Sequence, residues 1–286
     1  MKRRTILITG ASGKLGSAAA RILGRDHAIV RMDVRKPRDG EPDTPSGRTV
    51  VGSVTDRTAV AEAFEGVDSV IHCAAIPWSR PPFDELLHIN VAGTVNLLEE
   101  AAARPGVEQF IFISTIRVHG VLEEPGDDFM PRFLPFDETH PYLTVEYYGG
   151  SKVQAEHWCR MYVRRCGKPA VVLRPSYILP LHAEPDFAAQ PPPDQPTLAQ
   201  YVATSDLVNA MSLALDYHPK DGFDRFLMHA PEQPTTTPTL QLVDRYFPAV
   251  PADREKLSAC DGFGALVDCS HAAAALNWAP QSRCRR

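Results

Sequence analysis

Two side chains that could exchange a proton lie one helical turn apart in the stretch YYGGSKVQAE. Tyr148 stands four residues before Lys152, and residues at i and i+4 share one face of an α-helix. A free tyrosine has a pKa of about 10, so its phenol stays protonated at neutral pH unless a nearby positive charge favours the phenolate. The spacing indicates an acid–base couple in which the ammonium tunes the phenol. The alternative is a surface pair on an ordinary helix.

A glycine-rich turn near the start of the chain could bind a ligand on which such a couple acts. The stretch TGASGKLG places Gly10, Gly13 and Gly16 between an apolar β-branched run and a helical run. Small residues let the backbone approach a pyrophosphate, and the first N–H groups of the helix attract its charge. The pattern predicts a dinucleotide site, which also includes the loop residues Ser12, Lys14 and Leu15. A glycine turn without a ligand is the alternative.

A carboxylate ends the second apolar run and bears on the choice of dinucleotide. Asp33 follows Gly10 by 23 residues. A carboxylate at this place can bond a ribose 2′-hydroxyl and repels a 2′-phosphate. The sequence therefore predicts NAD as the cofactor, with NADP disfavoured, although Arg35 and Lys36 nearby work against that preference.

The elements that must position these residues alternate along the first 175 residues. Strands are predicted from short β-branched or apolar runs at 5–9, 27–33, 67–75, 108–115 and 169–175. Helices are predicted at 13–25, 56–66, 83–106 and 146–167. This alternation predicts an α/β fold, a Rossmann-type doubly wound parallel sheet with helices on both faces.

The composition changes after Pro175. The stretch HAEPDFAAQPPPDQPT is too rich in proline for a regular element, and a helix at 206–217 and a strand at 225–230 follow it. We predict a dinucleotide-binding domain from 1–176 plus about 201–230. We assign 177–200 and 231–286 to a small C-terminal substrate lobe.

Charge, hydropathy and the spacing of cysteines and histidines exclude several classes of partner. The net charge is −5 without a basic stripe, so we expect no nucleic-acid partner. No apolar run approaches the length of a membrane span, so we expect no membrane partner. The six cysteines form no Cys-x-x-Cys pair, and no histidine spacing completes a metal site. We expect reduced thiols in a cytoplasmic protein without a bound metal.

The glycine spacing together with Tyr-x-x-x-Lys resembles the extended short-chain dehydrogenases/reductases, and more narrowly the NAD-dependent epimerase/dehydratase family. The stretches that carry the resemblance are VIHCAA, NVAGTVNLLEEA, FISTIRVHG, YGGSKVQAE, LRPSYIL and ALNWAP. By this resemblance, Tyr148 is the acid–base residue, Lys152 is its helper, and Thr115 supplies a catalytic hydroxyl, with Ser114 as its rival. The resemblance also implies cofactor contacts from Ser53, Val54, Cys73, Ala74, Ala75, Asn90, Lys152 and Pro175.

The resemblance implies an NAD(P)-dependent oxidoreductase that transfers hydride between nicotinamide and a sugar or sugar-derived hydroxyl or ketone. A nucleotide-sugar epimerase with tightly held NAD is an alternative, and a non-catalytic dinucleotide-binding sensor is an alternative of another class. Dehydratases of the family are expected to carry an Asp–Glu pair where Ile116 and Arg117 stand, which disfavours dehydration.

Members of this family often dimerise through the two long helices, here near 90–103 and 148–165, so we expect a homodimer. The apolar residues for that contact, which could equally be core, are Val91, Leu97, Leu98, Trp158, Met161 and Tyr162. Three further assignments concern polar side chains: His72 packs in or beside the sheet, His119 lies in a loop or lines the pocket, and Glu138 contacts substrate or is solvated. The loop at 181–200 carries substrate specificity by resemblance, without a motif that names the substrate.

Overall fold

The computed structural model describes residues 2–36, 47–77, 82–120, 130–179 and 201–282. The strands are β1 Thr5–Thr9, β2 Ala28–Asp33, β3 Arg48–Val51, β4 Ser69–His72, β5 Gln109–Ile113, β6 Ala170–Pro175, β7 Tyr177–Leu179, β8 Tyr201–Ala203 and β9 Phe223–Met228. The helices are α1 Lys14–Leu23, α2 Arg57–Ala63, α3 Phe83–Leu87, α4 Gly93–Ala103, α5 Tyr147–Cys166, α6 Thr204–Leu215, α7 Thr239–Tyr246, α8 Arg254–Leu257, α9 Ala259–Gly262 and α10 Ser270–Leu276. A π-helical turn spans His88–Ala92, and a 3₁₀ turn spans Ile116–His119.

Seven strands form one parallel sheet in the order β3-β2-β1-β4-β5-β6-β9. The chain runs outward from β1 to β3 and then crosses to β4 on the other side of β1, so the strand order reverses between β1 and β4. Every residue of β4 and β5 is buried, as expected for strands that helices cover on both faces. The predicted α/β fold with a doubly wound parallel sheet is confirmed.

The last strand pairs with β6 in the same direction. Ala170 N–H donates to the Gly222 carbonyl oxygen at 2.9 Å, and Ser176 N–H donates to the Met228 carbonyl oxygen at 3.1 Å. Both bonds fit one parallel register, because both sequence positions rise by the same number of residues. This register places Ser176 opposite the residue that follows Met228.

Two features of the first half of the chain differ from the predictions. Strand β3 was not predicted, because it has four residues and only Val50 is buried. The predicted long helix at 83–106 is present as a continuous helical run from Phe83 to Ala103, but it contains the π-helical turn and ends earlier than predicted. The other predicted strands and helices named above are present, with ends shifted by a few residues.

The chain divides into two compact units. The first unit comprises Met1–Ser114, Val145–Leu173 and Met211–Arg225. The second unit comprises Thr115–Thr144, Arg174–Ala210 and Phe226–Arg286. The predicted boundaries of a substrate lobe stay a prediction, and the predicted specificity loop at 181–200 lies outside the described residues.

Each unit has its own apolar core. In the first, side chains of β1, β2 and β5 pack against α2, α4 and α5, with Phe110 and Leu97 fully buried. In the second, a separate cluster gathers around Phe136 and Leu266. Strands β7 and β8 also belong to the second unit and pair in parallel, with Tyr177 opposite Tyr201.

Candidate active site

A cleft of about 290 Å³ opens in the first unit where the strand order reverses. The ends of four parallel strands, β1 to β4, contribute to its walls. Such a crevice at the carboxyl ends of parallel strands is the usual ligand site of an open α/β sheet. Of the predicted cofactor residues, the cleft is lined by Gly10, Gly13, Asp33, Ser53, Val54, Cys73, Ala74 and Ala75.

Close backbone approaches keep side chains out of the glycine loop. Gly10 has φ +67°, and a Cβ there would lie 2.7 Å from the Ala74 nitrogen. A Cβ on Gly16 would lie 2.2 Å from the Gly10 carbonyl oxygen. Helix α1 begins at Lys14, and no side chain in the described part of the chain caps its start. Its first N–H groups, those of Lys14, Leu15 and Gly16, are therefore suited to an anion.

The Asp33 carboxylate borders the same cleft and is tied to the glycine loop. One oxygen accepts the Ser12 N–H at 2.9 Å, and the other accepts the Arg35 N–H at 3.0 Å. The Arg35 guanidinium lies 3.5 Å from the second oxygen, and its side chain is 64% exposed. A carboxylate has about four acceptor positions, so Asp33 retains capacity for the hydroxyls of a ligand.

The predicted acid–base couple lies on one face of α5. Glu146 caps the start of this helix by accepting the N–H groups of Tyr148 and Gly149, and Gly167 ends it at φ +73°. The Lys152 ammonium lies 5.9 Å from the centroid of the Tyr148 ring. Both side chains are buried. The structure therefore brings together the two residues that the spacing singled out.

The Lys152 ammonium is held at the end of β5. It donates a hydrogen bond to the Ile113 carbonyl oxygen at 2.8 Å and lies 4.7 Å from the centre of the Phe112 ring. Burial lowers the pKa of Lys152 to about 8, and the negative field of Glu156, one turn further along α5, acts in the opposite direction. The charge on this lysine is therefore sensitive to its buried neighbours.

Ser114 and Thr115 follow β5 and differ in their hydrogen bonds. The Ser114 hydroxyl donates its proton to the Glu156 carboxylate at 2.5 Å, so this proton is not available to a ligand. The Thr115 hydroxyl, in the second unit, accepts the Arg117 N–H at 3.3 Å at the start of the 3₁₀ turn. Among the described residues, no acceptor takes the proton of this hydroxyl. Of the two rivals, Thr115 thus keeps a donor for a ligand.

His72 joins β1 to α4 through a fully buried set of hydrogen bonds. Its Nδ1 lies 2.7 Å from the Thr9 hydroxyl, and its Nε2 lies 2.9 Å from the Thr94 hydroxyl. Thr94 already donates its proton to the Asn90 carbonyl oxygen, so His72 Nε2 must be the donor to Thr94. Burial, together with the charge of Lys152, lowers the pKa of His72 to about 3, so the ring is neutral. The prediction that His72 packs in or beside the sheet is confirmed.

Asn90 extends this connection toward Tyr148. Its side-chain oxygen accepts the Ile76 N–H at 2.8 Å, and its nitrogen donates to the Ser151 hydroxyl at 3.0 Å. Ser151 in turn donates to the Tyr148 carbonyl oxygen at 2.7 Å. Asn90 does not line the cleft, but it fixes the turn after β4 to the helix of Tyr148. Sequence reasoning had missed Ser151 and Glu156.

Several predicted residues belong to the second unit. Pro175 is the last residue of β6, and its predicted cofactor contact stays a prediction. His119 lies in the 3₁₀ turn and accepts a hydrogen bond from the fully buried Arg174 at 3.1 Å. The alternative that Glu138 is solvated was wrong, because its carboxylate is buried and accepts the Leu227 N–H at 2.8 Å. The alternative that Glu138 contacts substrate stays a prediction. Burial raises the pKa of Glu138.

No group of His, Cys, Asp or Glu side chains within the described ranges could hold a metal ion. Among the helices of that part of the chain, none is long and apolar enough to cross a membrane. The cysteines at 73, 159, 166, 260 and 269 carry free thiols.

Comparison with known proteins gave matches at the level of family, sequence and fold. A sequence model described as the NAD-dependent epimerase/dehydratase family matches residues 6–187. The chain is 32% identical to the L-arabinose 1-dehydrogenase (NAD(P)(+)) of Haloferax volcanii over 179 residues, which are 61% of this chain and 67% of that protein. It is 31% identical to the uronate dehydrogenase of Pseudomonas syringae pv. tomato over 172 residues, 59% of this chain and 58% of that protein. The second alignment thus spans less than two thirds of the relative.

A solved structure has the same fold. It is a short-chain dehydrogenase/reductase superfamily protein from Agrobacterium tumefaciens with bound NAD. The match has a TM-score of 0.70 at 23% identity and covers 98% of this chain and 93% of that chain.

We predict that Glu156→Gln lowers the pKa of Lys152 below about 8. Glutamine keeps an acceptor for the Ser114 hydroxyl but removes the negative charge that favours the ammonium. NMR titration of protein labelled with ¹³Cε-lysine measures this pKa, and the loss of one signal in Lys152→Met assigns it. The control is Glu62→Gln on the exposed side of α2, which should leave the pKa unchanged. An unchanged or higher pKa in Glu156→Gln would refute the electrostatic role of Glu156.

Proposed function

Because the chain belongs to the NAD-dependent epimerase/dehydratase family, we propose that it transfers hydride between NAD and a hydroxyl or carbonyl carbon of a sugar or sugar derivative. The observation that carries this proposal is the buried Lys152 ammonium, which lies 5.9 Å from the Tyr148 ring on one face of α5. The cleft of the glycine loop belongs to the same unit of the fold. A pure binding protein has no use for such a couple.

The residues around the cleft fit a dinucleotide. Gly10, Gly13 and Gly16 leave room for a pyrophosphate beside the start of α1. The carboxylate of Asp33 suits ribose hydroxyls. The further residues that we assign to cofactor binding are Ser12, Lys14, Leu15, Ser53, Val54, Cys73, Ala74, Ala75, Asn90, Lys152 and Pro175.

Tyr148 moves the proton in the proposed reaction. When bound, NAD supplies the hydride acceptor, and its reduced form supplies the hydride. The Tyr148 phenolate takes the proton of a substrate hydroxyl during oxidation, and the phenol returns it to the forming alkoxide during reduction. The Lys152 ammonium favours the phenolate by its charge. Thr115 donates a hydrogen bond to the substrate oxygen, where negative charge develops.

The substrate class and the domain roles rest on the relatives. The names of the two enzymes above refer to an aldose and to uronates, which favours a sugar or sugar acid as the substrate. We assign cofactor binding to 1–176 with about 201–230, and substrate binding to 177–200 with 231–286. The free thiols of the described cysteines suit a reducing compartment, so we place the protein in the cytoplasm.

We also propose that the protein is a homodimer through the exposed sides of α4 and α5. Trp158 and Met161 are 43% and 40% exposed and border an apolar hollow on this surface. Of the apolar residues considered for the contact, Leu97, Leu98 and Tyr162 are buried in the core and do not contribute exposed area. The exposed apolar side chains of Trp158 and Met161 are what a second copy would cover.

Tyr148→Phe should reduce turnover of a sugar substrate by roughly 10²–10⁴-fold while NAD binding persists, because only the proton-transfer group is lost. Cofactor fluorescence measures binding, and the formation of NADH measures turnover on a panel of aldoses and uronic acids. The matched control is Tyr147→Phe, because Tyr147 precedes Tyr148 in the same helix and its side chain is exposed. Binding of NAD without turnover by wild type, with equal behaviour of Tyr148→Phe, would support the non-catalytic sensor. Interconversion of sugars without net NADH would support the epimerase.

Asp33→Ala should weaken NAD binding and reduce the preference for NAD over NADP. Alanine removes the acceptor for ribose hydroxyls and the repulsion of a 2′-phosphate, while the Arg35 guanidinium remains nearby. Dissociation constants for both dinucleotides measure the effect, with the exposed Asp26→Ala as control. Tighter binding of NADP than NAD by the wild type would show that Asp33 has been assigned wrongly.

The double variant Trp158→Ala/Met161→Ala should shift the protein from dimer toward monomer, because it removes the exposed apolar area of α5. Sedimentation velocity over a range of concentrations measures the shift. Tyr246→Ala, which removes an aromatic ring of similar exposure in the second unit, serves as control. A monomeric wild type at all concentrations would refute the dimer.

A further inference from the structure

Two buried polar side chains that the proposed mechanism does not use stand at the carboxyl ends of neighbouring strands in the second unit. Ser176 directly follows β6, and His229 directly follows β9. The Ser176 N–H donates to the carbonyl oxygen of Met228 at 3.1 Å, which in a parallel ladder makes Ser176 and His229 register partners. Register partners of adjacent strands direct their side chains to the same face of a sheet.

His229 offers a lone pair and no proton on its outer nitrogen. Its Nδ1 is hydrogen-bonded to the carbonyl oxygen of Ala230, which can only accept, so Nδ1 carries the proton. The side chain is 1% exposed, and burial lowers the pKa of His229 to about 4, which keeps the ring neutral. Nε2 is then an acceptor, and it has no hydrogen-bond partner among the described residues.

The Ser176 hydroxyl, like Nε2 of His229, is a buried polar group without a partner among the described residues. Buried polar atoms are nearly always paired in folded proteins, because leaving one unpaired is unfavourable. Two unpaired atoms on register partners point to one shared partner.

The residues around Ser176 and His229 limit the chemical class of the shared partner. The ring of Tyr201 stands 6.4 Å from the His229 ring, and the Ala230 N–H donates to the Tyr201 carbonyl oxygen at 2.8 Å. Leu179, Tyr201 and Ala230 form a small apolar cluster beside the pair. A charged group would therefore meet an apolar wall and a neutral imidazole. A carboxylate, in addition, has no proton to give to Nε2.

A hydroxyl group matches both atoms at once. It donates its proton to His229 Nε2 and accepts the proton of the Ser176 hydroxyl. Open α/β sheets bind ligands at the carboxyl ends of their strands, where this pair lies. We propose that Ser176 and His229 form a subsite that holds one hydroxyl group of the sugar substrate and so contributes to substrate specificity. This proposal rests on the proposed function, because it presupposes a polyhydroxy substrate.

The test compares each sugar with its monodeoxy analogues. Wild type should prefer the parent sugar over one particular deoxy analogue in kcat/KM, because a site built to bond a hydroxyl rejects a ligand without it. Ser176→Ala and His229→Leu should each reduce that preference by about tenfold or more, at the same carbon of the sugar. His229→Gln, which restores an acceptor, should recover part of the preference. Ser258→Ala and His218→Gln, both on exposed side chains, should leave it unchanged.

The same comparison on dissociation constants separates the two proposals. If wild type binds sugars without turnover, the proposed function fails, and the parent-to-analogue ratio of Kd still tests the subsite. If wild type oxidises a sugar and no ratio changes in Ser176→Ala or His229→Leu, the subsite is refuted and the function stands. A changed Tm with unchanged ratios has the same meaning, because a buried water or another part of the chain then pairs these atoms. Absence of both binding and turnover refutes both proposals.

Discussion

The geometry of the first unit depends on the burial of one ammonium group, that of Lys152. Removing a cation from water costs several kcal/mol unless nearby groups offset the loss. Here the offset comes from the Ile113 carbonyl oxygen, the face of the Phe112 ring and the negative charge of Glu156. All three belong to β5 or α5, so these elements must keep their relative position for the charge to persist. The Tyr148 phenol lies on the same helix, so its distance from the Lys152 ammonium is fixed by α5.

The neutrality of His72 follows from the same burial. Burial disfavours a charged imidazole at this place, and the nearby positive charge of Lys152 adds to the effect, so the pKa of His72 falls to about 3. A neutral imidazole has one donor and one acceptor, so the direction of each hydrogen bond from Thr9 to Thr94 is determined. Buried networks of this kind specify a unique arrangement when every member is paired. The turn after β4 is thereby held in one position against the glycine loop and the helix of Tyr148.

The sequence was sufficient for the sheet, the glycine loop, Asp33 and the Tyr148–Lys152 pair, because local patterns determine all of these. Strand ends in a parallel sheet meet at one edge, so residues far apart in sequence converge there without further information. Strand β3 was missed because an edge strand with one buried residue has no apolar pattern. Glu156 was missed because a carboxylate in a helix is normally on the surface, and only the contact with Ser114 shows otherwise. The pairing of Ser176 with His229 depends on sheet register, which no local pattern contains.

The π-helical turn at His88–Ala92 constrains the length of the chain as well as its composition. A π turn holds one residue more than an α-helical turn, and Asn90 lies within it. Deleting a single residue here would give a more regular helix, yet each position would rotate by about 100° and Asn90 would leave Ile76 and Ser151. Natural variation among related chains should therefore conserve the spacing across this turn. Insertions and deletions should accumulate instead in the surface connections.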